Sequence, residues 1–277
     1  MKPLILKIGT VAAGAALACC LFGCSETNNA VASQDPVYLP SSMTINKDGT
    51  TYVQSYTYDD QGNLISSADS RVKTTGGTFI DASGDASRYE EGASYSSTTA
   101  YSLDENGVPV SFDRTVVEGN DQTTTHTDIE IEVNESGLWE EIALLKNGET
   151  VLAASIAYED GLPKAIQRDY GKGPSTVEFD KSGWEADMVN SSDAAYNEQT
   201  ARLESTNLYG RDFSFEYDEN GCLSSIYCDG ELETQISYTL IDNPSPAVYS
   251  LSHLKLNWIG FGYPYGWYWE LGGTFLG

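Results

Sequence analysis

Seven times between Tyr56 and Gly221, once in shortened form, the chain repeats one pattern: an apolar-x-apolar triplet, Asp or Asn, two polar residues, then Gly. The copies end at Gly62, Gly84, Gly107, Gly137, Gly161, Gly183 and Gly221, with spacings of 22, 23, 30, 24, 22 and 38 residues. The copy at Thr78–Gly84 is weaker, and the one at Ile156–Gly161 is the shortened form. A period near 23 signals a repeated supersecondary unit, and the two long spacings read as insertions. The unit is a hairpin. Asp or Asn accepts hydrogen bonds from the backbone ahead of it and starts a turn, and Gly supplies the positive φ that returns the chain with strand twist.

The flanking segments alternate with period two, as in Tyr52, Gln54, Tyr56, Tyr58; Ile129, Ile131, Val133; Phe213, Phe215, Tyr217; and Ile236, Tyr238, Leu240. Their opposite faces carry Thr, Ser and Glu, the signature of half-buried antiparallel strands. Further turn signals fall between the repeats, at Gly119-Asn120, Asn147-Gly148, Gly171-Lys172-Gly173 and Asp229-Gly230. Each period therefore holds two strands and two turns. The fold expected is all-β: an antiparallel up-and-down meander of hairpins curled into an open or closed barrel-like sheet. A β-propeller is the alternative, because two periods would supply one four-stranded blade.

The stretch Asn46-Lys47-Asp48-Gly49 through Tyr56-Thr57-Tyr58-Asp59-Asp60-Gln61-Gly62-Asn63-Leu64 resembles the YD repeat of Rhs-type bacterial surface and toxin proteins. Those families wind such hairpins into large β-shells, so the resemblance implies an extracytoplasmic β-sheet protein. Later copies keep the turn and lose the Asn-Leu that follows Gly62. With about seven units and no cargo segment, shell function does not carry over.

At the other level of organisation, Lys2 and Lys7 precede an apolar run that closes with Leu21-Phe22-Gly23-Cys24. This is the layout of a secretory signal. Its ending resembles the lipobox of bacterial lipoproteins, which implies cleavage after Gly23, a diacylglycerol and further acylation on Cys24, and an extracytoplasmic, membrane-anchored protein. Each buried CH₂ of such chains contributes roughly 0.8 kcal/mol. An uncleaved transmembrane helix over Leu4–Phe22 is the alternative, and it lacks a basic stop-transfer flank.

The expected organisation is a signal at 1–23, a flexible tether at 24–42, a repeat body at 43–241 and an aromatic, Gly-rich segment at 242–277. Removing residues 1–23 takes two lysines and no acid, which moves the net charge from −26 to −28. Such a surface repels nucleic acid and anionic lipid. Beyond Cys24 only Cys222 and Cys228 remain. On one strand they stand roughly 20 Å apart, too far for a disulfide, so two unpaired, largely buried thiols are expected. Ser191–Glu204 is the one helix candidate, with a strand equally compatible.

The closing segment carries Trp258, Phe261, Tyr263, Tyr265, Trp267, Tyr268, Trp269 and Phe275. These rings serve either to plug an end of the curled sheet or to contact a partner, with Trp267, Tyr268 and Trp269 as the contact residues. Signals for catalysis are weak. The Asp-x-x-Gly turns lack the spaced ligands and closing Glu of a calcium loop. His126 and His253 stand apart from any other zinc ligand, and His126, among threonines, reads as solvated. No Gly-x-Ser-x-Gly elbow is present. The sequence thus points to a non-catalytic surface lipoprotein, without cofactor or metal, that binds a protein or glycan. An acyl-chain carrier with an apolar concave face, and a hydrolase, are the competing readings.

Overall fold

The computed structural model describes residues 34–47, 50–73, 77–80, 86–89, 94–169, 171, 173–208 and 210–254. All of them belong to one compact unit that begins at Gln34. In chain order the elements are β1 (Val37–Lys47), β2 (Thr50–Tyr58), β3 (Leu64–Lys73), β4 (Gly77–Ile80), β5 (Ala86–Tyr89), β6 (Ser94–Leu103), β7 (Pro109–Glu118), β8 (Asp121–Val133) and β9 (Trp139–Lys146). There follow β10 (Glu149–Glu159), β11 (Leu162–Asp169), β12 (Ser175–Glu178), α1 (Ala186–Val189), β13 (Ala195–Asn197), β14 (Arg202–Leu208), β15 (Arg211–Tyr217), β16 (Leu223–Cys228), β17 (Glu231–Ile241) and α2 (Pro246–Leu251).

Fifteen strands form one antiparallel sheet in the order β12-β11-β10-β9-β8-β7-β6-β3-β2-β1-β17-β16-β15-β14-β13, and β4 and β5 pair separately. This is the meander expected from the repeats, in a single sheet and not in propeller blades. Its first and last strands join: β1 pairs with β17, from Val37 opposite Ile241 to Ile45 opposite Thr234. The sheet is open between β12 and β13 instead, where the chain crosses through residues 179–194. Both edge strands are very short, four and three residues, which limits the exposed hydrogen-bonding edge that invites aggregation.

The inward residues form two apolar clusters. One gathers Leu39, Leu64, Phe112, Trp139, Ile142 and Ile166 with Val248, Leu251 and Leu254 of the α2 segment. The other gathers Met43, Tyr52, Leu203, Phe213, Phe215 and Ile226 around Trp184. The outward face is polar, with Thr124, His126, Asp128, Glu130 and Glu132 exposed along β8 and Asp212, Ser214 and Glu216 along β15.

Several expectations are corrected. β1 starts at Val37, six residues before the expected start of the repeat body at 43. Ser191–Glu204 is not a helix; it holds β13, a turn and the start of β14, and the only helix nearby is the single turn α1. Val133 and Leu240, assigned inward by alternation, are 43% and 47% exposed. A bulge between Glu132 and Val133 changes the face just before the turn. Between Leu39–Thr239 and Met43–Ile236, four steps on β1 match three on β17, so inward parity changes along β17 and Leu240 faces out. Among the described residues Cys222 and Cys228 form no disulfide, as expected, but only Cys228 is buried. Its burial, with Glu233 nearby, pushes that thiol up to about 11.

Candidate functional site: a capped rim

Because the strands alternate in direction, the described Asp-x-x-Gly and Asn-x-x-Gly turns at Asp59, Asp104, Asn134, Asp180 and Asp218, with the shortened one at Asp160, fall at the same end of the sheet. The local cause repeats at each. Asp59 Oδ1 accepts from Gln61 N at 2.9 Å and Asn63 N at 2.8 Å, and Gly62 N donates to the Asp59 carbonyl at 3.0 Å. Asp104, Asn134, Asp180 and Asp218 repeat the pair of side-chain acceptances from the second and fourth residues onward. The shortened copy is a two-residue turn, with both Asp160 (φ 53°) and Gly161 (φ 79°) left-handed. The first carboxylate oxygen of each such Asp is thus occupied within its own turn, which leaves the rim poorly suited to hold calcium. Among the described residues no group of three or more His, Cys, Asp or Glu side chains is placed to hold a metal ion.

Tyrosines behind the turns tie neighbouring strands together. Tyr58, Tyr158, Tyr217 and Tyr238 donate their hydroxyls to the carbonyls of Pro40, Trp139, Leu203 and Leu223 at 2.6–2.8 Å. This explains Tyr over Phe at these positions: the ring packs inward while the hydroxyl satisfies a carbonyl of the adjacent strand.

The α2 segment seats in this rim. Ser245 caps α2 by accepting from Val248 N at 3.3 Å, with Pro246 as the first helical residue. Ser245 N donates to the Gln61 carbonyl at 2.9 Å, and Ser250 Oγ donates to the Gly161 carbonyl at 2.6 Å. Ala247, Val248, Leu251 and Leu254 are buried. A Cβ on Gly62 would lie 2.8 Å from Val248 Cγ1, one on Gly137 3.2 Å from Pro246 Cγ, and one on Gly183 would overlap the His253 carbonyl oxygen. Gly62, Gly137 and Gly183 therefore serve two needs: positive φ, and room for the plug.

Deeper on the inner face, between the rim and the far end, the lining turns polar. Gln54 pairs with Asp69 and Asp69 with Ser97, while Thr99 pairs with Arg114 on the next row. Gln54, Asp69, Ser97 and Thr99 are all buried. Arg114 Nη2 donates to Ser97 Oγ at 3.5 Å. At the open seam, Glu185 bridges to Phe179, and burial, strengthened by Asp187 and opposed by Arg168, pushes its carboxyl up to about 7.

His126, expected to be merely solvated, is exposed yet held between two carboxylates, with Nδ1 2.7 Å from Asp113 and Nε2 3.2 Å from Asp128. Asp128 lies two residues away on the same face of β8, a period-two signal that the sequence offered. Asp113 comes from β7 by register. The plug was also signalled: Pro244-Ser245-Pro246 is a helix cap followed by Pro at the first position. Cys24, the tether up to Ser33, the Asp81–Gly84 turn and the contact residues Trp267, Tyr268 and Trp269 lie outside the described residues.

No protein-family model matches the chain, and no curated protein matches it in sequence. Among solved structures it is similar to a porin-like protein from Bacteroides uniformis. The identity is 12% and the TM-score 0.34, over 75% of this chain and 99% of that one.

Proposed function

We propose that this chain is a non-catalytic, extracytoplasmic lipoprotein, held to a bacterial membrane through acyl chains on Cys24, that binds a protein or glycan partner. The observation that supports it most is the polar outer wall. A sheet that crosses a bilayer presents an outward apolar band about 25 Å tall. Here Thr, Asp, Glu, Ser and His occupy that face on β8 and β15. A body with such a wall stands in water, and its membrane attachment comes from outside the sheet, for which Cys24 is the candidate. Trp267, Tyr268 and Trp269 are its partner-contact residues.

The acyl-carrier reading is less well supported. The apolar inward side chains pack on one another and on α2, and the lining between is polar, with Gln54, Asp69 and Arg114 where an acyl chain would need hydrocarbon.

The test is expression of the full chain and of Cys24→Ser in a bacterium fed a radiolabelled fatty acid. The native chain is expected to take up label, sediment with membranes and lose its signal. Cys24→Ser is expected to take up none. Label on Cys24→Ser, or an unlabelled native chain, would refute the anchoring.

A further inference from the structure

Fifteen antiparallel strands make an odd count, and that count fixes what fits the seam. Direction alternates across an antiparallel sheet, so the two edge strands β12 and β13 run the same way, toward the rim. They cannot close on each other by the pairing used in the rest of the ring. One further strand, running away from the rim, would pair antiparallel with both edges.

The chain begins that strand and abandons it. After the turn at Asp180, Glu185 bridges back to Phe179 antiparallel to β12, and Asp180 N donates to the Trp184 carbonyl at 2.8 Å. Continuing this register would set Asp187 opposite Val177, which packs on the cluster of Trp139 and Ile166. Opposed residues share a face, so the ladder would turn a carboxylate toward apolar side chains. The chain leaves it instead as α1, with Asp187 exposed. α1 is four residues long without a side-chain cap, and so short a helix has little stability of its own.

Below Glu185 both edges aim backbone groups at the seam. Phe179 N donates to the Lys164 carbonyl at 2.8 Å, so by alternation Val177 also bonds β11 while Thr176 and Glu178 point away from it. On the other side β13 covers β14 only from Arg202 to Ser205. Asp212 accepts from Asp229 N at 2.7 Å and donates to Asp229 Oδ1 at 3.0 Å, toward β16, so Asn207 opposite it points toward the seam. Next to it Thr206 faces inward, 2% exposed, and its hydroxyl has no hydrogen-bond partner among the described residues. Between 175 and 207, Glu178, Asp187, Asp193, Glu198 and Glu204 are exposed against one exposed base, Lys181.

We propose that the seam below Glu185 is a docking edge for a single extended strand of a partner protein, basic on its outward face, which displaces α1 and pairs with β12 and β14. Strand addition of this kind draws affinity from main-chain hydrogen bonds and specificity from alternate side chains. Outward Lys or Arg on the guest falls opposite Glu178. Its inward residues replace Val189 and Ala194 against the cluster around Trp184, and an inward Ser or Thr meets the Thr206 hydroxyl. A second acidic copy of this chain is repelled by the same carboxylates. This surface is separate from Cys24 and from the aromatic segment, so it stands or falls independently of the anchoring.

The experiment adds the capped peptide Lys-Val-Lys-Thr-Lys-Val-Lys to the full chain, with Glu-Val-Glu-Thr-Glu-Val-Glu as the control. The basic peptide is expected to bind, to weaken with salt, and to slow amide hydrogen exchange at Thr176 and Asn207. Thr176→Pro removes a seam-facing N–H and no bond to β11, so it should weaken binding roughly tenfold and leave the unfolding midpoint unchanged. A peptide N-methylated at its central residue should lose affinity by a similar factor, which decides the matter even if Thr176→Pro fails to fold. No binding, binding that leaves Thr176 and Asn207 unprotected, or equal binding of the acidic peptide would overturn the proposal.

Discussion

The two ends of the sheet use the same turn residue for different reasons. At the far end, Gly119, Gly148, Gly210 and Gly230 have φ values of 58–83°, and a Cβ on any of them would meet nothing within 4 Å. At the rim, Gly62, Gly107, Gly137, Gly183 and Gly221 have the same left-handed backbone, but a Cβ would press on a neighbour at 3.2 Å or closer, whereas Gly161 of the shortened turn meets nothing within 4 Å. Far-end glycines satisfy only the geometry of their own hairpin. Rim glycines are also contact surfaces, most of them with the segment 244–254. A repeat that looks purely local in sequence thus encodes a long-range seat for the plug.

The sharpest test of that difference is a pair of substitutions. Gly183→Ala places a methyl against the His253 backbone oxygen, which no side-chain rotation relieves, and is expected to cost more than about 3 kcal/mol. Gly230→Ala meets open space and incurs only the left-handed backbone penalty, about 1–2 kcal/mol. Gly62→Ala should fall between, because Val248 Cγ1 can yield. Urea unfolding midpoints measure all three; equal losses would mean that the plug does not depend on the rim glycines.

These contrasts show which parts of the fold the sequence exposes. Asp59, Gly62 and their counterparts act on atoms within four residues, so their role is legible from spacing alone. The same holds for Tyr52, Gln54, Tyr56 and Tyr58, which follow the pleat inward or half-inward. The junction of β1 with β17 and the opening between β12 and β13 are not legible. They depend on which distant strands meet, and 15 similar strands offer little to distinguish one closure from another. Val133 and Leu240 escape the alternation rule because bulges change parity, and no residue type announces those bulges. Of the site, the rim turns could be read, and the plug was signalled only by Ser245 and Pro246.

The seam where the ring stays open is expected to be sensitive to pH, unlike the hydrogen-bonded strands on either side. Glu185 has its carboxyl raised to about 7 from an ordinary 4.5. A group raised in the folded state contributes its stability in full below about pH 4.5 and loses it as pH rises through about 7. Glu185→Gln should remove this decline, making the protein more stable than the native chain at pH 8, on the order of 2 kcal/mol, with little difference at pH 4. Chemical denaturation at the two pH values decides it. An unchanged slope would place the loss elsewhere.

Within the rim, side-chain chemistry can be separated from glycine geometry. Asn134 already makes the bonds that Asp makes in the other full copies, so the turn needs an acceptor oxygen and not a charge. Asp104→Asn is therefore expected to be nearly neutral, whereas Asp104→Ala removes two acceptances and should cost about 1–2 kcal/mol. If Asn and Ala prove equally harmful, the charge itself matters and the rim has an electrostatic role that its hydrogen bonds do not explain.

The smallest effect belongs to the outer wall, which neither end controls. His126 is raised above its ordinary 6.5, chiefly by its hydrogen bond to Asp113 and next by that to Asp128. Its stabilisation is therefore complete below about pH 6.5 and fades as pH climbs through the higher folded-state value. The site is fully open to solvent, so the imidazolium gains little from the two carboxylates once salt screens them. An NMR titration of the His126 ring should show a value above 6.5 that falls toward it in Asp113→Asn and in high salt, while the unfolding midpoint scarcely moves. A titration that ignores salt would mean that the ring is shielded, and that the wall at β7–β8 is covered by something in solution.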